Sequence, residues 1–270
     1  MSTLVVTDLD RTLVYSRAAF DLTVPDAAAP NLVTAEFYQG APQSYLTLTA
    51  AALLQGLPAG VLVPATTRTI EQYLRVRLPI DRPRHAITSN GGNILIDDVP
   101  DPQWRDGITA GVAESAPLSE IEQHFSPLAG HDWVRTVRTA DSLFCYLVAH
   151  TTSLPDGFAD ELRAWSGARG WRVSVQGRKV YALPEPLTKS TAVRRICEWT
   201  GADFLLGAGD GILDADVLEM ADAAIRPRHG ELHEAQWNRP HVAVTQSSGI
   251  LAGEEMVRWY CDRLASENRR

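Results

Sequence analysis

Leu4-Val5-Val6-Thr7-Asp8-Leu9-Asp10-Arg11-Thr12 is the stretch on which the rest of the chain is read. The short apolar, β-branched run from Thr3 to Thr7 predicts a buried strand, and it ends in two carboxylates. Acids two positions apart at the tip of a straight strand point the same way. Like charges that close need a cation or a proton between them; the alternative is a solvated acidic turn.

A β-α-β-α rhythm surrounds this strand. Residues 21–43 are rich in Pro, Ala and Gly and predict an extended loop or hairpin, and 44–57 predicts a helix ended by Gly56 or the Pro58-Ala59-Gly60 turn. A second apolar run, 60–65, again ends in polar residues, Thr66, Thr67 and Arg68. Ile70, Tyr73, Leu74 and Leu78 follow at helical spacing. Such alternation predicts a parallel sheet.

The rhythm breaks near Pro79. Residues 86–89, 94–96, 142–150, 171–175 and 179–183 predict strands, the last two forming a hairpin across Gln176-Gly177-Arg178. Asn90-Gly91-Gly92-Asn93 predicts a turn, and 118–125 and 156–169 predict helices. This segment, 84–185, is expected to be an inserted α+β domain, with 1–83 and 186–270 forming the core. The first rhythm then resumes, with a helix at 189–199 capped by Thr188 and ended by Gly201, strands at 204–206, 223–225 and 242–244, and a terminal helix at 249–266.

A second acidic motif, Gly209-Asp210-Gly211-Ile212-Leu213-Asp214, follows the strand at 204–206. Glycine on both sides of Asp210 allows a tight turn and close backbone approach, although an ordinary strand-to-helix loop has the same look. Thr66 at a strand tip and Lys189 at a helix start are commonplace alone. In an open parallel sheet, however, the strand C-termini face one crevice, where ligands bind. That places Asp8, Asp10, Thr66 and Asp210 together, with Lys189 reaching in. Carboxylates suit Mg²⁺, while a lysine, a hydroxyl and backbone N–H groups suit a phosphoryl dianion.

Bulk properties narrow the classes. A net charge of −8 and a pI near 5.4 disfavour a general role on nucleic acid or an anionic membrane. Three scattered cysteines, Cys145, Cys197 and Cys261, predict neither a zinc site nor a disulfide framework and fit a reducing cytoplasm. The N-terminal run lacks the features of a signal peptide, and no stretch approaches the ~20 apolar residues a span requires. His229 and His233 are four apart but lack a third partner for a metal, and no G-x-S-x-G elbow is present.

The set of motifs resembles the haloacid dehalogenase (HAD) superfamily, and within it the Cof-like and sucrose-phosphatase-like branch. The matching residues are Asp8-Leu9-Asp10-Arg11-Thr12, Ala65-Thr66-Thr67-Arg68, Thr88-Ser89-Asn90-Gly91-Gly92, Lys189 and Gly209-Asp210-Gly211-Ile212-Leu213-Asp214. The resemblance implies a Rossmann-like parallel α/β core with a C2-type cap inserted between Thr66 and Lys189. It also implies an Mg²⁺-dependent phosphatase acting on a small phosphorylated metabolite, a sugar phosphate or a nucleotide-like compound. Asp8 would be the nucleophile and Asp10 the general acid and base. Thr66 and Lys189 would bind phosphate. Asp8, the Asp10 backbone carbonyl and Asp210 would hold the metal, supported by Asp214 from behind. Cap residues Arg135, Arg138, Arg172, Arg178 and Lys179 could recognise a second anionic group, or simply be solvated charge. A phosphotransferase or phosphomutase using the same Asp8, and a non-catalytic binding scaffold, are the alternatives. Arg11, Thr67 and Leu213 depart from the family pattern, which has Gly, Gly and Asn there.

Overall fold

In the computed structural model, which describes residues 2–151 and 154–267, the first motif sits on strand β1 (Thr3–Thr7) at the heart of a parallel sheet. Next come the hairpin β2 (Leu32–Tyr38) and β3 (Ala41–Thr47), helix α1 (Leu48–Gln55), β4 (Leu62–Pro64) and the short α2 (Ile70–Leu74). The helix predicted from residue 44 begins four residues later. Ser44–Thr47 pair with β2, and Thr47 caps α1 by accepting from the Ala50 N–H.

A small antiparallel sheet follows, β5 (His85–Thr88), β6 (Asn93–Ile96) and β7 (Val99–Pro100). Then come α3 (Pro102–Val112), α4 (Leu118–Phe125), β8 (Val134–Ala140), β9 (Phe144–Ala149), α5 (Phe158–Gly167), β10 (Trp171–Gln176) and β11 (Lys179–Pro184). The chain ends with α6 (Lys189–Thr200), β12 (Phe204–Ala208), α7 (Ala215–Met220), β13 (Ala223–Arg226), α8 (Glu231–Glu234), β14 (Val242–Val244) and α9 (Gly249–Glu267).

The principal sheet has the order β14-β13-β12-β1-β4, all parallel. The alternation along β1 builds its two faces. Val5 packs with Leu54 of α1 and Met256, Val257 and Tyr260 of α9. Leu4 and Val6 pack with Ala192, Val193 and Ile196 of α6 and with Val217 and Leu218 of α7. Helices on both faces oblige the strands to be apolar throughout, which is why β1 is a continuous buried run.

Between the two halves of this core, β10-β11-β9-β8 form an antiparallel sheet with a separate apolar cluster. One face, Val137, Leu147 and Val180, packs against Ile121, Phe125 and Leu162 from α4 and α5. The fold is thus a parallel α/β core with an α+β segment inserted into it. No helix among the described residues is long and apolar enough to cross a membrane.

Candidate active site

The C-terminal ends of β1 and β12 are neighbours, since Thr7 pairs with Ala208. Continuing each strand by a residue or two brings Asp8 and Asp210 together, because the Asp8 N–H donates to the Ala208 carbonyl. Asp214 returns to the same point through the turn that starts at Gly211, whose N–H donates to the Asp214 carboxylate at 2.9 Å. Oxygens of Asp8, Asp210 and Asp214 lie within 4.8 Å of one another, and all three residues are buried.

Two glycines make this crowding feasible. A Cβ on Gly209 would stand 2.3–2.6 Å from the Asp214 side chain, and one on Gly230 would stand 2.5 Å from an Asp210 carboxylate oxygen. Gly230 also has φ +85, a conformation that side-chain-bearing residues rarely adopt. Any larger residue at either position would displace an acid.

Lys189, the first residue of α6, is almost completely buried and bridges the cluster. Its ammonium donates to Asp8 at 2.7 Å and to Asp214 at 2.6 Å. Burial alone would lower the lysine pKa, but Asp214 and Asp8 outweigh it and hold the group charged. One ammonium does not neutralise three carboxylates. Burial, together with Asp214 and Asp10 and against the pull of Lys189, pushes Asp8 up to about 7. Burial and the neighbouring Asp8 push Asp210 well above the usual carboxylate range. The charged partner of Asp210 is the Arg11 guanidinium 3.7 Å away, too far for a hydrogen bond. A buried, all-oxygen donor set with excess negative charge is chemically suited to a hard divalent cation.

Asp10 behaves differently from its neighbour two residues back. Its carboxylate turns to Arg68, which donates to both oxygens at 2.8 Å in a bidentate fork. Burial would raise the Asp10 pKa, but Arg68 overrides it and holds the carboxyl well below the usual range. The Asp10 side chain is therefore engaged by an arginine, while Asp214 joins the acidic cluster as a direct neighbour of Asp8 and Asp210. Asp214, expected to support the metal from behind, lies in contact range of both acids. Thr66 is buried behind Arg68, and its Oγ1 accepts from the Arg68 N–H at 3.1 Å, which leaves its own proton for an acceptor.

The sequence pattern gives Arg68 no role of its own; only its place after Thr66-Thr67 hints at one. The three departures from the family pattern also acquire explanations. Arg11 has φ 63, the left-handed conformation for which glycine is the usual choice. It is fixed by His229, whose Nδ1 accepts from the Gly249 N–H, so that Nε2 carries the proton and donates to the Arg11 carbonyl at 2.8 Å. Burial pushes this imidazole down to about 4 and keeps it neutral. His229 thus serves the loop, and neither it nor His233 belongs to the acidic cluster of Asp8, Asp210 and Asp214. The Thr67 hydroxyl donates to Tyr181 of β11 at 3.4 Å. Leu213 is buried in the apolar cluster of the inserted segment. All three cysteines are free thiols.

A cavity of about 740 Å³ opens onto Asp10, Arg11, Arg68 and Asp210 on one side and onto β8, β9 and β11 on another. Its volume lies within the range of small-molecule sites.

Neither a protein-family model nor a curated protein matches the sequence. Solved structures do match in shape. Sucrose-phosphatase from Synechocystis sp. PCC6803, solved with sucrose and phosphate, aligns over 96% of this chain and 98% of its own, at 18% identity and a TM-score of 0.64. A trehalose-6-phosphate phosphatase related protein aligns over 98% and 100%, at 14% identity and a TM-score of 0.58. A HAD subclass IIB sugar phosphatase aligns over 98% and 99%, at 13% identity and a TM-score of 0.52. The chain shares the fold of these proteins over 96–98% of its length.

Proposed function

We propose that this chain is a phosphomonoester hydrolase of the HAD type, acting on a small phosphorylated metabolite, a sugar phosphate above all, through a phospho-aspartate at Asp8. The observation that carries this reading is the buried Lys189 held between Asp8 and Asp214, with Asp210 alongside, at the tips of adjacent parallel strands. The likeness to sucrose-phosphatase and to a subclass IIB sugar phosphatase makes sugar esters the first substrates to try.

In the first step an Asp8 oxygen attacks phosphorus, and the bond to the ester oxygen breaks. In the second, water attacks the phospho-aspartate, releasing inorganic phosphate and restoring the carboxylate. Lys189 and the Thr66 hydroxyl bind phosphoryl oxygens, and the buried lysine offsets their charge where the dielectric constant is low. Asp8 and Asp210, with Asp214 and the Asp10 main-chain carbonyl, are the residues that would hold Mg²⁺. Bound there, the ion supplies positive charge that lets the buried Asp8 carboxylate and an anionic phosphate approach each other.

Asp10 is set in this arrangement to accept the proton of the attacking water. Protonating the leaving oxygen in the first step requires the Arg68 fork to loosen, because Arg68 holds Asp10 as a carboxylate. Segment 84–185 would act as a cap over the cavity and exclude water. The three free thiols fit a reducing compartment such as the cytoplasm.

The test is phosphate release from p-nitrophenyl phosphate and a panel of sugar phosphates, with Mg²⁺ or EDTA. Wild type should turn over with Mg²⁺ only, and Asp8→Asn should lower kcat by about a thousandfold or more. Activity that survives Asp8→Asn would sink the mechanism, and transfer to an alcohol in place of water would make the chain a phosphotransferase.

A further inference from the structure

The antiparallel sheet turns one face to its own helices and the other to the cavity. Register defines the second face. Thr136 pairs with Val148 and Val148 with Lys179 in one row; Arg138 pairs with Tyr146 and Tyr146 with Tyr181 in the next. Every one of these six side chains lines the cavity. Arg135 joins them because the register shift between Val134 and Thr136 breaks the strict alternation of β8. Arg178 joins them from the β10–β11 turn.

The polar groups on this wall differ in how far they are already engaged, and Lys179 lies over the Tyr181 ring. Tyr146 and Tyr181 are tied to the core, accepting from Gln72 and Thr67. The guanidinium groups of Arg135, Arg138 and Arg178 make no hydrogen bond or ion pair among the described residues. Charge accounting shows that they are not there to balance neighbouring acids. Asp10 is held by Arg68, Glu36 by Arg68 and Arg75, Asp210 has Arg11 at 3.7 Å, and Asp21, the remaining acid of the cavity lining, accepts from the Ser248 hydroxyl at 2.6 Å and has none of the three arginines as a partner. The scissile phosphate in turn has Lys189, outside this group. Three arginines without partners, in one cavity of a chain whose net charge is −8, form a local reversal of sign. Guanidinium groups match carboxylate and phosphate oxygens in a planar, bidentate geometry.

We propose that the substrate carries a second anionic group, a carboxylate or a further phosphate, received by Arg135, Arg138 and Arg178 on the cavity wall formed by the antiparallel sheet. This rests on the phosphatase reading and narrows its substrate class: a neutral-sugar monophosphate fills the catalytic end and leaves these arginines idle. Discrimination comes from the second anion.

The full chain with Mg²⁺ would be assayed on three matched esters: a neutral-sugar monophosphate, the same sugar carrying a second phosphate, and the monophosphate of the corresponding sugar acid. One doubly anionic ester should exceed the neutral one in kcat/KM by at least about tenfold, and which of the two wins identifies the second group. Arg138→Gln combined with Arg178→Gln should cut that preference by about 10- to 100-fold, mainly through KM, with partial rescue by Arg138→Lys. An equal or better neutral ester, or a preference that survives both substitutions, would overturn the proposal. Absence of turnover even on p-nitrophenyl phosphate counts against the hydrolase reading instead. Calorimetric titration of the sugar bisphosphate then decides the arginine site by itself: tighter binding to wild type than to the double variant supports it, and equal binding refutes it.

Discussion

The parallel sheet and the antiparallel sheet handle charge in opposite ways. At the tip of the parallel sheet, ionic groups are interlocked and mostly buried: the buried Lys189 contacts two carboxylates, and the half-exposed Asp10 takes both ends of a buried arginine fork. On the open face of the antiparallel sheet, Arg135, Arg138 and Arg178 are exposed and unpaired. Buried charges are expensive unless geometry compensates them, so the first region tolerates almost no change. Solvated arginines cost little, so the second can vary freely with the ligand. On the proposed reading, one region carries the reaction and the other chooses what undergoes it.

The sharpest way to break this contrast is Lys189→Met. Removing one partner from a buried ionic group leaves Asp8 and Asp214 facing each other uncompensated, a loss of about 3–5 kcal/mol. Chemical denaturation at pH 8 in EDTA would measure it, and the same substitution should abolish turnover. A loss below about 1 kcal/mol, the usual worth of an exposed pair, would mean that the site is far wetter than its burial indicates.

Leu213 sits on the border between the two regions. It belongs to the loop carrying Asp210 and Asp214, yet it is buried among the apolar side chains of the inserted segment. Close by, Glu231 of α8 accepts from Ser174 Oγ at 2.8 Å, the Val175 N–H at 3.1 Å and the Ile212 N–H at 3.0 Å, tying β10 to the core. Leu213→Asn would place an amide in that apolar cluster, costing about 2–4 kcal/mol from lost packing and an unmatched polar group. Hydrogen exchange should rise in β10 and β11 and stay unchanged in β1 and β12. Equal acceleration in both sheets would show that they unfold as one unit.

The same contrast explains what could be read from the sequence. Strand β1 was expected at Thr3–Thr7 and spans those residues, because a strand covered on both faces is apolar throughout and bounded by its acids. Helix α6 was legible from its Thr188 cap and Gly201 stop. Strand β8 was missed. It is an edge strand reading Val-Arg-Thr-Val-Arg-Thr-Ala, and its register shift destroys the alternation that would reveal it. Helix α3 was missed because Gly107 and Gly111 dilute its pattern, although Asp101 caps it and Pro102 opens it. At the site, the residue types and their meeting point were legible. The Arg68 fork on Asp10 was not, because the partners are 58 residues apart and only the fold joins them.

The finest test separates the two regions by pH. Burial and neighbouring acids raise Asp8 to about 7 in the folded chain from an ordinary 3.8, so the folded state holds a proton that the unfolded chain gives up. Without metal, this group stabilises least at high pH: its contribution falls as pH rises from about 4 to 7. Asp210 acts in the same direction. His229, lowered from 6.5 to about 4, acts oppositely, since the folded state resists its protonation and stability is lost as pH falls through that range. A single melting curve therefore mixes both signs, and the informative quantity is the difference in Tm between Mg²⁺ and EDTA at each pH. A cation held by Asp8 and Asp210 competes with their protons but leaves His229 untouched. The Mg²⁺-induced rise in Tm should be near zero at pH 4.5 and grow to several degrees by pH 8. Asp210→Asn should flatten that growth, whereas Arg138→Gln, on the antiparallel sheet, should leave it in place. A shift independent of pH, or one lost equally in both variants, would place the ion somewhere other than the acidic cluster.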